Sequence, residues 1–385
     1  MNSASSLLSE PALRQILAEL AGAARAFRFE VAPNPCVGAA VVSGGRVIAR
    51  GFHQVYGREH AEIDALAQAG KSGVPRAEWD TLVVTLEPCS SSDKTPPCTD
   101  AILNSGIRRV VVGSLDPDPR HRGRGIELLR AAGLEVELLE GATPLTELAP
   151  YFLDWLAPER VSRPRPWIIA KWAQTRSGHL SPPENFGGGR WISGPEARDE
   201  VQVLRSRVDA IVTGIGTVLA DNPRLTVRAP GDLSKRPMRV VLDSHLRTPP
   251  DARLFEVRGP EESAGDVHIL CSAGASAVRH RALVEVGAQV HGVHAFDLDH
   301  LRLFDVANWL WGQGARRVLL ESGPELLEHG FSAGGIDQVR VITGNVNGGR
   351  GESMANRMSR LRFSERLDRE CGGDSVLEAM VSRGA

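Results

Sequence analysis

The stretch that decides the fold of the first half of the chain begins at His60-Ala61-Glu62, continues at Glu87-Pro88-Cys89 and ends at Cys98. Histidine nitrogen and cysteine sulfur are common zinc ligands, and a catalytic zinc takes three ligands from the protein so that water can occupy the fourth position. The predicted ligands are His60, Cys89 and Cys98. Zinc bound in this way lowers the pKa of its water towards neutrality, which makes hydroxide available as a nucleophile.

Glu62 is predicted to transfer protons, because it follows His60 by two residues and is not itself a ligand. A His-x-Glu sequence with a later Pro-Cys pair is the signature of zinc nucleobase deaminases. Cys98 follows Cys89 by nine positions instead of three, so a longer loop must join the two cysteines. The alternative is that these residues are core thiols and a surface histidine, but the complete pattern favours a zinc site.

The composition excludes several classes of protein. With 45 basic and 47 acidic residues, the chain has no overall field that would attract nucleic acid or an anionic membrane. No run of about 18 apolar residues could span a bilayer. Two of the five cysteines are assigned to metal, so no even set remains for a disulfide framework. We therefore predict a cytoplasmic protein without a targeting segment.

Two α/β domains are predicted, because 385 residues exceed what one hydrophobic core supports. Their predicted limits are 1–157 and 164–385, with a Pro- and Arg-rich linker at 151–166. The first should be an α/β sandwich with a largely parallel sheet, with its site at the carboxyl ends of strands. Its predicted elements are helices 13–27, 59–69, 99–104 and 126–132 and strands 37–42, 47–50, 81–86, 110–113 and 134–139.

In the second domain the pattern predicts strands 167–173, 210–213, 239–243, 267–271, 317–321 and 338–343 and a helix at 195–205. No Gly-x-Gly-x-x-Gly follows a strand with an acidic residue about 20 positions further on, so the usual dinucleotide fingerprint is absent. The residues alone indicate only that a nucleotide-sized ligand could bind.

Two connected series of motifs resemble one family, the bifunctional deaminase/reductases of riboflavin biosynthesis. In the first half they are Pro33-Asn34-Pro35-Cys36-Val37-Gly38, His60-Ala61-Glu62, Thr85-Leu86-Glu87-Pro88-Cys89-Ser90, Thr95-Pro96-Pro97-Cys98 and Asp116-Pro117-Asp118-Pro119. In the second half they are Lys171-Trp172-Ala173, Arg190-Trp191-Ile192-Ser193, the stretch 216–223, Leu225-Thr226-Val227-Arg228, Asp243-Ser244 and Glu321-Ser322-Gly323-Pro324.

This resemblance implies a cytidine-deaminase-like α/β/α sandwich followed by a dihydrofolate-reductase-like α/β domain that uses NADPH. The implied reactions are zinc-dependent deamination of 2,5-diamino-6-ribosylamino-4(3H)-pyrimidinone 5′-phosphate and then reduction of its ribosyl side chain to ribityl. The implied partner is this small phosphorylated pyrimidine, without nucleic acid or membrane. We further expect a homo-oligomer.

The resemblance also implies roles for individual residues. The substrate-binding residues would be Asn34, Lys94, Arg205, Arg228 and Glu321. The cofactor-binding residues would be Ala173, Trp191, Thr217, Asp221, Ser244 and Gly323. Simpler alternatives remain open: Asn34 could cap its own turn, Lys94 and Arg205 could be surface residues, and Trp191 could belong to the core.

Three segments depart from the family pattern. Ser90-Ser91-Ser92-Asp93-Lys94 replaces paired histidines followed by Gly-Arg, Thr175-Arg176-Ser177-Gly178 lacks an expected aspartate, and a polar, glycine-rich run at 345–354 replaces an apolar turn. One alternative function is therefore a deaminase with a degenerate reductase domain. Another is a zinc-stabilised binding protein, although structural zinc normally has four protein ligands.

Overall fold

The structure is a computed structural model that describes residues 8–91, 96–184, 186–187, 191–256, 259–297 and 300–382. The chain divides into two compact units, Met1–Ser162 and Arg163–Ala385. Among the described residues, no helix is both long enough and apolar enough to cross a membrane.

The first unit is built on a five-stranded sheet in the order β2-β1-β3-β4-β5. Its strands are β1 Gly38–Ser43, β2 Arg46–Phe52, β3 Thr81–Val84, β4 Arg109–Val112 and β5 Glu135–Leu138. Its helices are α1 Glu10–Ala24, α2 Arg28–Val31, α3 Ala61–Ala69, α4 Cys98–Leu103, α5 Arg124–Ala131, α6 Leu145–Leu148, α7 Pro150–Trp155 and α8 Pro158–Ser162.

The sheet is mixed, whereas the sequence pattern favoured a largely parallel one. Strand β1 is antiparallel to both β2 and β3, while β3, β4 and β5 are parallel. The hairpin turn between β1 and β2, at Ser43-Gly44-Gly45, explains the difference. This tight turn makes β2 antiparallel to β1, and β1 then lies between β2 and β3 in the sheet.

The sheet has a hydrophobic core on each face, because successive side chains of a strand point to opposite sides. Ala39 and Val41 of β1 belong to one core, in which Ala61 and Ala65 of α3 also lie. Ala40 and Val42 belong to the other, with Leu13, Leu17 and Leu20 of α1. Each fully buried aliphatic side chain contributes roughly 1.5–3 kcal/mol. The predicted α/β/α sandwich is confirmed.

Helix α3 packs very closely on β2. A Cβ atom on Gly51 would lie 2.0 Å from the backbone nitrogen of Ala65, so only glycine allows this approach. His60 is the N-cap residue of α3, and Glu62 lies in its first turn. The contact therefore fixes the distance between α3 and the sheet, and with it the position of these two side chains.

The segment predicted as a linker, 151–166, is largely helical. Helices α7 and α8 occupy most of it, and both begin at a proline, which is favourable at a first helical position. Tyr151 is buried, and its hydroxyl donates to the backbone oxygen of Asn34 at 3.0 Å. The interpretation as a linker was wrong for 151–162, because these residues form the last two helices of the first unit, and Pro158 begins a helix instead of interrupting one.

The second unit contains a nine-stranded sheet in the order β13-β12-β10-β8-β14-β6-β15-β18-β17. Its strands are β6 Trp167–Gln174, β7 His179–Ser181, β8 Ala210–Gly214, β9 Val227–Arg228, β10 Met238–Leu242, β11 Glu262–Ser263, β12 Val267–Ser272, β13 Gln289–Val293, β14 Arg317–Glu321, β15 Gln338–Thr343, β16 Arg350–Ser353, β17 Phe363–Cys371 and β18 Asp374–Val381. Its helices are α9 Pro195–Arg205, α10 Ile215–Asp221, α11 Ala277–Glu285, α12 Leu303–Gly312, α13 Pro324–Ser332 and α14 Ala355–Met358.

The six strands and the helix predicted for the second unit are all present, and the α/β class is confirmed. The first seven strands in the sheet order, from β13 through β12, β10, β8, β14 and β6 to β15, are parallel to one another. The C-terminal hairpin of β17 and β18 joins the sheet through β18, which is antiparallel to β15. The hairpin was missed because β17, the edge strand, is mostly charged. Edge strands commonly carry such residues, which discourage pairing with other chains.

Candidate active sites

Three elements of the first unit bring the predicted metal ligands together. His60 caps α3, Cys89 follows β3, and Cys98 opens α4. His60 Nδ1 lies 3.5 Å from the sulfur of Cys89 and 3.3 Å from that of Cys98. All three ligand atoms lie within 4.8 Å of one another, and no other group of this kind occurs among the described residues.

This arrangement fits a zinc ion. With Zn–S of about 2.3 Å and Zn–N of about 2.0–2.1 Å, a tetrahedral site places nitrogen and sulfur about 3.5 Å apart. The two distances from His60 Nδ1, 3.3 and 3.5 Å, agree with that value. Three protein donors leave one position for water, as catalytic zinc requires.

The pKa values of the two cysteine thiols are shifted in opposite directions. The Cys98 thiol donates to the Cys89 sulfur, which lowers the pKa of Cys89 to about 4 and raises the pKa of Cys98. The backbone N–H of Cys98 also points at the Cys89 sulfur, at 3.3 Å. One sulfur is therefore already suited to be a thiolate, and a bound cation would replace the proton on the other.

Glu62 is buried beside these ligands, with only 3% of its surface exposed. Burial raises the pKa of its carboxyl to about 7, although the nearby His60 acts in the opposite direction. A general acid/base is most effective when its pKa lies near the working pH. Its position in the first turn of α3 places the carboxyl next to the ligand cluster.

Asn34 contacts a histidine that the sequence analysis did not single out. Its side-chain nitrogen lies 3.3 Å from Nε2 of His53, whose Nδ1 lies 2.9 Å from the backbone oxygen of Glu59. The imidazole of His53 packs edge-on against His60, with 5.2 Å between ring centroids. No sequence signal marked His53, because it belongs to no metal spacing. Lys94 lies outside the described residues.

In the second unit, Arg205 and Glu321 form a two-pronged ion pair. Nε and Nη2 of Arg205 donate to the two carboxylate oxygens at 2.7 and 2.9 Å, and Nη1 donates to the backbone oxygen of Thr226 at 3.0 Å. Burial alone would raise the pKa of Glu321, but Arg205 and then Lys171 outweigh it and hold the pKa at about 2. Arg205 is therefore not a plain surface residue.

Two further basic residues, Lys171 and Arg228, lie near this ion pair. Lys171 is the cross-strand neighbour of Glu321, and its burial lowers the pKa of the ammonium group. Lys171 belongs to the Lys171-Trp172-Ala173 motif of the family resemblance, but the sequence analysis assigned no role to it. Arg228 is more open than Arg205, with 44% against 11% of the side chain exposed. Burial and the nearby Arg205 lower the pKa of Arg228.

Four of the predicted cofactor residues lie at the carboxyl ends of parallel strands, where ligands of such sheets bind. These residues are Ala173 on β6, Thr217 after β8, Ser244 after β10 and Gly323 after β14. The hydroxyl of Thr217 accepts a hydrogen bond from the backbone nitrogen of Gly323 at 3.2 Å. Two of the four are thus in direct contact.

The two remaining cofactor candidates lie on helices or loops. Trp191 is 49% exposed, so it is not a core residue, and the Arg198 guanidinium lies 5.0 Å from the centre of its ring system. Asp221 ends α10 and is exposed. Thr217 and Asp221 both lie on α10, one helical turn apart.

Two of the departing segments contact each other. The hydroxyl of Ser177 donates to the backbone oxygen of Gly348 at 2.9 Å, and the hydroxyl of Ser353 donates to the backbone oxygen of Ser177 at 2.6 Å. Strands β7 and β16 pair beside them. The 175–178 turn and the glycine-rich run are therefore one structural feature.

Comparisons with known proteins agree with the geometry of both units. Residues 14–114 match the family described as the cytidine and deoxycytidylate deaminase zinc-binding region. Residues 166–361 match the RibD C-terminal domain. These matches define a two-part protein, in which a zinc-dependent deaminase precedes a reductase domain.

Curated relatives span most of the chain. The riboflavin biosynthesis protein RibD of Aquifex aeolicus is 37% identical over 80% of this chain and 80% of its own length. That of Bacillus amyloliquefaciens is 34% identical over 82% of this chain and 80% of its own length. The chain belongs to the family of the riboflavin biosynthesis protein RibD.

Solved structures agree with this assignment. Acinetobacter baumannii RibD is 28% identical, with a TM-score of 0.65 over 96% of this chain and 99% of that chain. A diaminohydroxyphosphoribosylaminopyrimidine deaminase/5-amino-6-(5-phosphoribosylamino)uracil reductase from Thermotoga maritima is 28% identical, with a TM-score of 0.62 over the same shares. The protein is a bifunctional enzyme of riboflavin biosynthesis that uses zinc and NADPH.

Proposed function

We propose that the first unit removes ammonia from 2,5-diamino-6-ribosylamino-4(3H)-pyrimidinone 5′-phosphate. The observation that carries this proposal is the cluster of His60, Cys89 and Cys98 with the buried carboxyl of Glu62 beside it. Zinc held by the cluster would supply an activated water at its open position. Glu62 would take up a proton from the water and deliver it to the departing amine.

Asn34 and His53 would orient the pyrimidine ring. Nδ1 of His53 lies 2.9 Å from the carbonyl of Glu59, and when it donates there, Nε2 is left to accept from the Asn34 amide. This contact fixes the Asn34 carbonyl oxygen as the free acceptor of that side chain. An acceptor in a fixed direction suits the N–H and amino groups of a diaminopyrimidine. Lys94, four residues before Cys98 in the sequence, is also proposed to contact the substrate.

The second unit would reduce the ribosyl side chain of 5-amino-6-(5-phosphoribosylamino)uracil to ribityl with hydride from NADPH. Arg228 is the better candidate for the phosphate, because its guanidinium is the more exposed of the two arginines. Arginine suits phosphate because its planar fork donates two hydrogen bonds at once. Arg205 would mainly hold Glu321, which then meets the substrate as a fixed carboxylate.

The cofactor would lie along the carboxyl ends of the parallel strands. Thr217, Ser244 and Gly323 would contact NADPH where β8, β10 and β14 end, and Ala173 would line the site from β6. Trp191 and Asp221 are proposed to close the site from the adjoining loop and helix. These assignments rest on the position of each residue in the fold and on the family pattern.

Further proposals concern the protein as a whole. We place the deaminase within 1–157 and the reductase within 164–385. None of the five cysteines, all of which are among the described residues, forms a disulfide bond, which suits a reducing cytoplasm. Phe296 and Phe304 of the second unit are 72% and 47% exposed, which favours a homo-oligomer that covers apolar surface. Light scattering on the purified chain would test the oligomer.

The proposed function is tested by supplying the diaminopyrimidine phosphate and NADPH to the purified chain. Ammonia release and NADPH oxidation should both occur, and metal analysis should find about one zinc per chain, as expected for one site with three protein ligands. Ammonia release without NADPH oxidation would leave a deaminase with a degenerate reductase. Absence of zinc and of ammonia release, even after zinc is added, would exclude the deaminase.

A further inference from the structure

Glu87 is a buried glutamate of the deaminase unit that has no part in the proposed chemistry. Only 5% of its surface is exposed, and it lies two residues before the zinc ligand Cys89. A buried carboxylate must have hydrogen-bond donors around it, because leaving it without them costs several kcal/mol. The identity of those donors shows what Glu87 is holding.

The donors are four backbone N–H groups of a single following segment. Oε2 accepts from Asp116 at 3.1 Å and Gly123 at 2.9 Å. Oε1 accepts from Gly125 at 2.9 Å and, more weakly, from Ile126 at 3.4 Å. An ionised carboxylate offers about four lone-pair positions, so this set uses the whole group. Glu87 thus joins the metal-ligand loop to the 116–126 segment.

A second contact joins the same two pieces of backbone. A Cβ atom on Gly125 would lie only 2.2 Å from the backbone oxygen of Pro88, so the start of α5 rests directly on the residue between Glu87 and Cys89. Glycine is the only residue that permits this contact. Two independent features, a carboxylate and a glycine, therefore hold the turn that carries Cys89.

The sulfur of Cys89 depends on that turn for its position. On its other side, Cys89 is fixed by the N–H of Cys98, which lies 3.3 Å from the sulfur, and by the N–H of Thr99, which donates to the Cys89 carbonyl at 3.2 Å. Proline at 88 fixes one backbone torsion between the two anchors. We propose that Glu87 is a positioning residue for the zinc site, which sets the direction of the Cys89 sulfur by clamping its turn to α5.

This inference rests on the proposed zinc-dependent deaminase and adds a residue outside the ligand set. Residues that orient metal ligands typically change metal affinity about 10-fold to 100-fold when they are replaced. Glutamine would keep the size of Glu87 but would turn one oxygen into an N–H donor facing two backbone donors. Glu87→Gln should therefore weaken zinc binding nearly as much as Glu87→Ala.

The test is competition for zinc between the full-length chain and a chelator of known affinity. Glu87→Gln and Gly125→Ala should each weaken zinc binding about 10-fold to 100-fold. Cobalt substituted for zinc should show altered visible absorption in both variants, because its bands report sulfur ligation and tetrahedral geometry. NADPH oxidation with the deaminated substrate should match the unmodified chain, which shows that the second unit is intact.

Asp80→Asn is the matched control, because Asp80 also accepts a backbone N–H in this unit, from Gly44 at 2.8 Å, but outside the metal loop. It should leave zinc affinity and the cobalt spectrum unchanged. Normal zinc affinity and a normal cobalt spectrum in Glu87→Gln would overturn the inference, whatever happens to its melting temperature. Failure of the unmodified chain to bind zinc would instead reject the proposed deaminase, so the two failures are distinguishable.

Discussion

At the scale of single residues, the two buried glutamates of the deaminase unit differ in their surroundings. Glu87 meets four backbone N–H groups, which use all of its acceptor positions. Glu62 lies among the ligand side chains, and burial raises the pKa of its carboxyl to about 7. The first environment fixes a side chain in place, and the second suits a group that exchanges protons.

Changing Glu62 to Gln tests its role in proton transfer. Glutamine preserves the size of the side chain and leaves His60, Cys89 and Cys98 in place, so zinc should be retained. Deamination should fall about 100-fold or more, the usual effect of losing a general acid/base. Ammonia release and metal content are measured on the same sample, and a variant that deaminates at the normal rate would exclude this role.

Replacing Arg228 with Ala tests the proposed phosphate contact. Hydrogen bonds to a charged partner contribute roughly 1.5–3 kcal/mol, so the KM for the deaminated substrate should rise about 10-fold to 100-fold. Deamination should not change. Arg366→Ala is the control, because Arg366 on β17 is also an exposed arginine, with 57% of its side chain exposed against 44% for Arg228, and it pairs with Asp368. An unchanged KM in the Arg228 variant would show that the phosphate is held elsewhere.

Sequence reasoning predicted the zinc ligands and Glu62 because their spacing is short and their residue types are chemically distinctive. His53, Lys171 and Glu87 could not be assigned in the same way, because their roles depend on contacts with residues distant in the chain. Glu87 meets donors 29 to 39 positions later. The pairing of Arg205 with Glu321, 116 positions apart, was equally invisible.

At the scale of elements, hydrophobic patterns predicted the central strands of both sheets, since buried strands consist of continuous apolar residues. The hydrophobic pattern did not predict strands whose side chains are buried on one face only or hardly buried at all, such as the charged edge strand β17. It also could not show that β7 and β16 pair, because that pairing joins two segments about 170 residues apart. The reductase half departs from the family pattern at 175–178 and at 345–354, and these two stretches adjoin or include the paired strands β7 and β16.

Gly51→Ala tests how closely α3 must approach β2. The new methyl group would lie 2.0 Å from the backbone nitrogen of Ala65 and 2.6 Å from the backbone oxygen of Ala61, so the helix must shift. We expect a loss of about 1–3 kcal/mol in the free energy of unfolding, together with reduced deamination. Urea unfolding and ammonia release measure the two effects.

Gly22→Ala provides the comparison, because nothing lies within 4 Å of the added atom and Gly22 is in helix α1. Alanine is favoured over glycine in a helix by about 1 kcal/mol, so this variant should be as stable as the unmodified chain or more so. Equal stability of the Gly51 and Gly22 variants would show that the close approach is not required.

The ion pair between Arg205 of α9 and Glu321 of β14 predicts a pH dependence of stability. The pKa of Glu321 is lowered from 4.5 to about 2 on folding. Ionised Glu321 therefore contributes stability that is fully present above pH 4.5 and is lost as the pH falls towards 2. Above pH 4.5, the free energy of unfolding should be higher for the unmodified chain than for Glu321→Gln by the largest amount. This difference should shrink progressively as the pH falls below 4.5.

Urea unfolding between pH 3 and pH 7 measures this difference. Glu370→Gln is a suitable control, because it removes an exposed carboxylate from β17 of the same unit. A gap between the unmodified chain and Glu321→Gln that stays constant as the pH falls would contradict the ion pair's contribution.

At the scale of the whole molecule, the chemistry is divided between two units that share one chain. The predicted zinc ligands and Glu62 all lie in the first unit, and Arg205, Arg228, Glu321 and the proposed cofactor residues all lie in the second. The zinc-binding family match ends at residue 114 and the reductase match begins at residue 166. Each activity should therefore respond to its own site alone.

Selective removal of zinc tests this central claim most directly. The purified chain is treated with a chelator, and ammonia release from the diaminopyrimidine phosphate is measured beside NADPH oxidation with 5-amino-6-(5-phosphoribosylamino)uracil. Ammonia release should disappear and return when zinc is restored, while NADPH oxidation continues at its original rate. Loss of both activities together, or no NADPH oxidation by the untreated chain, would contradict an enzyme with two separate working sites.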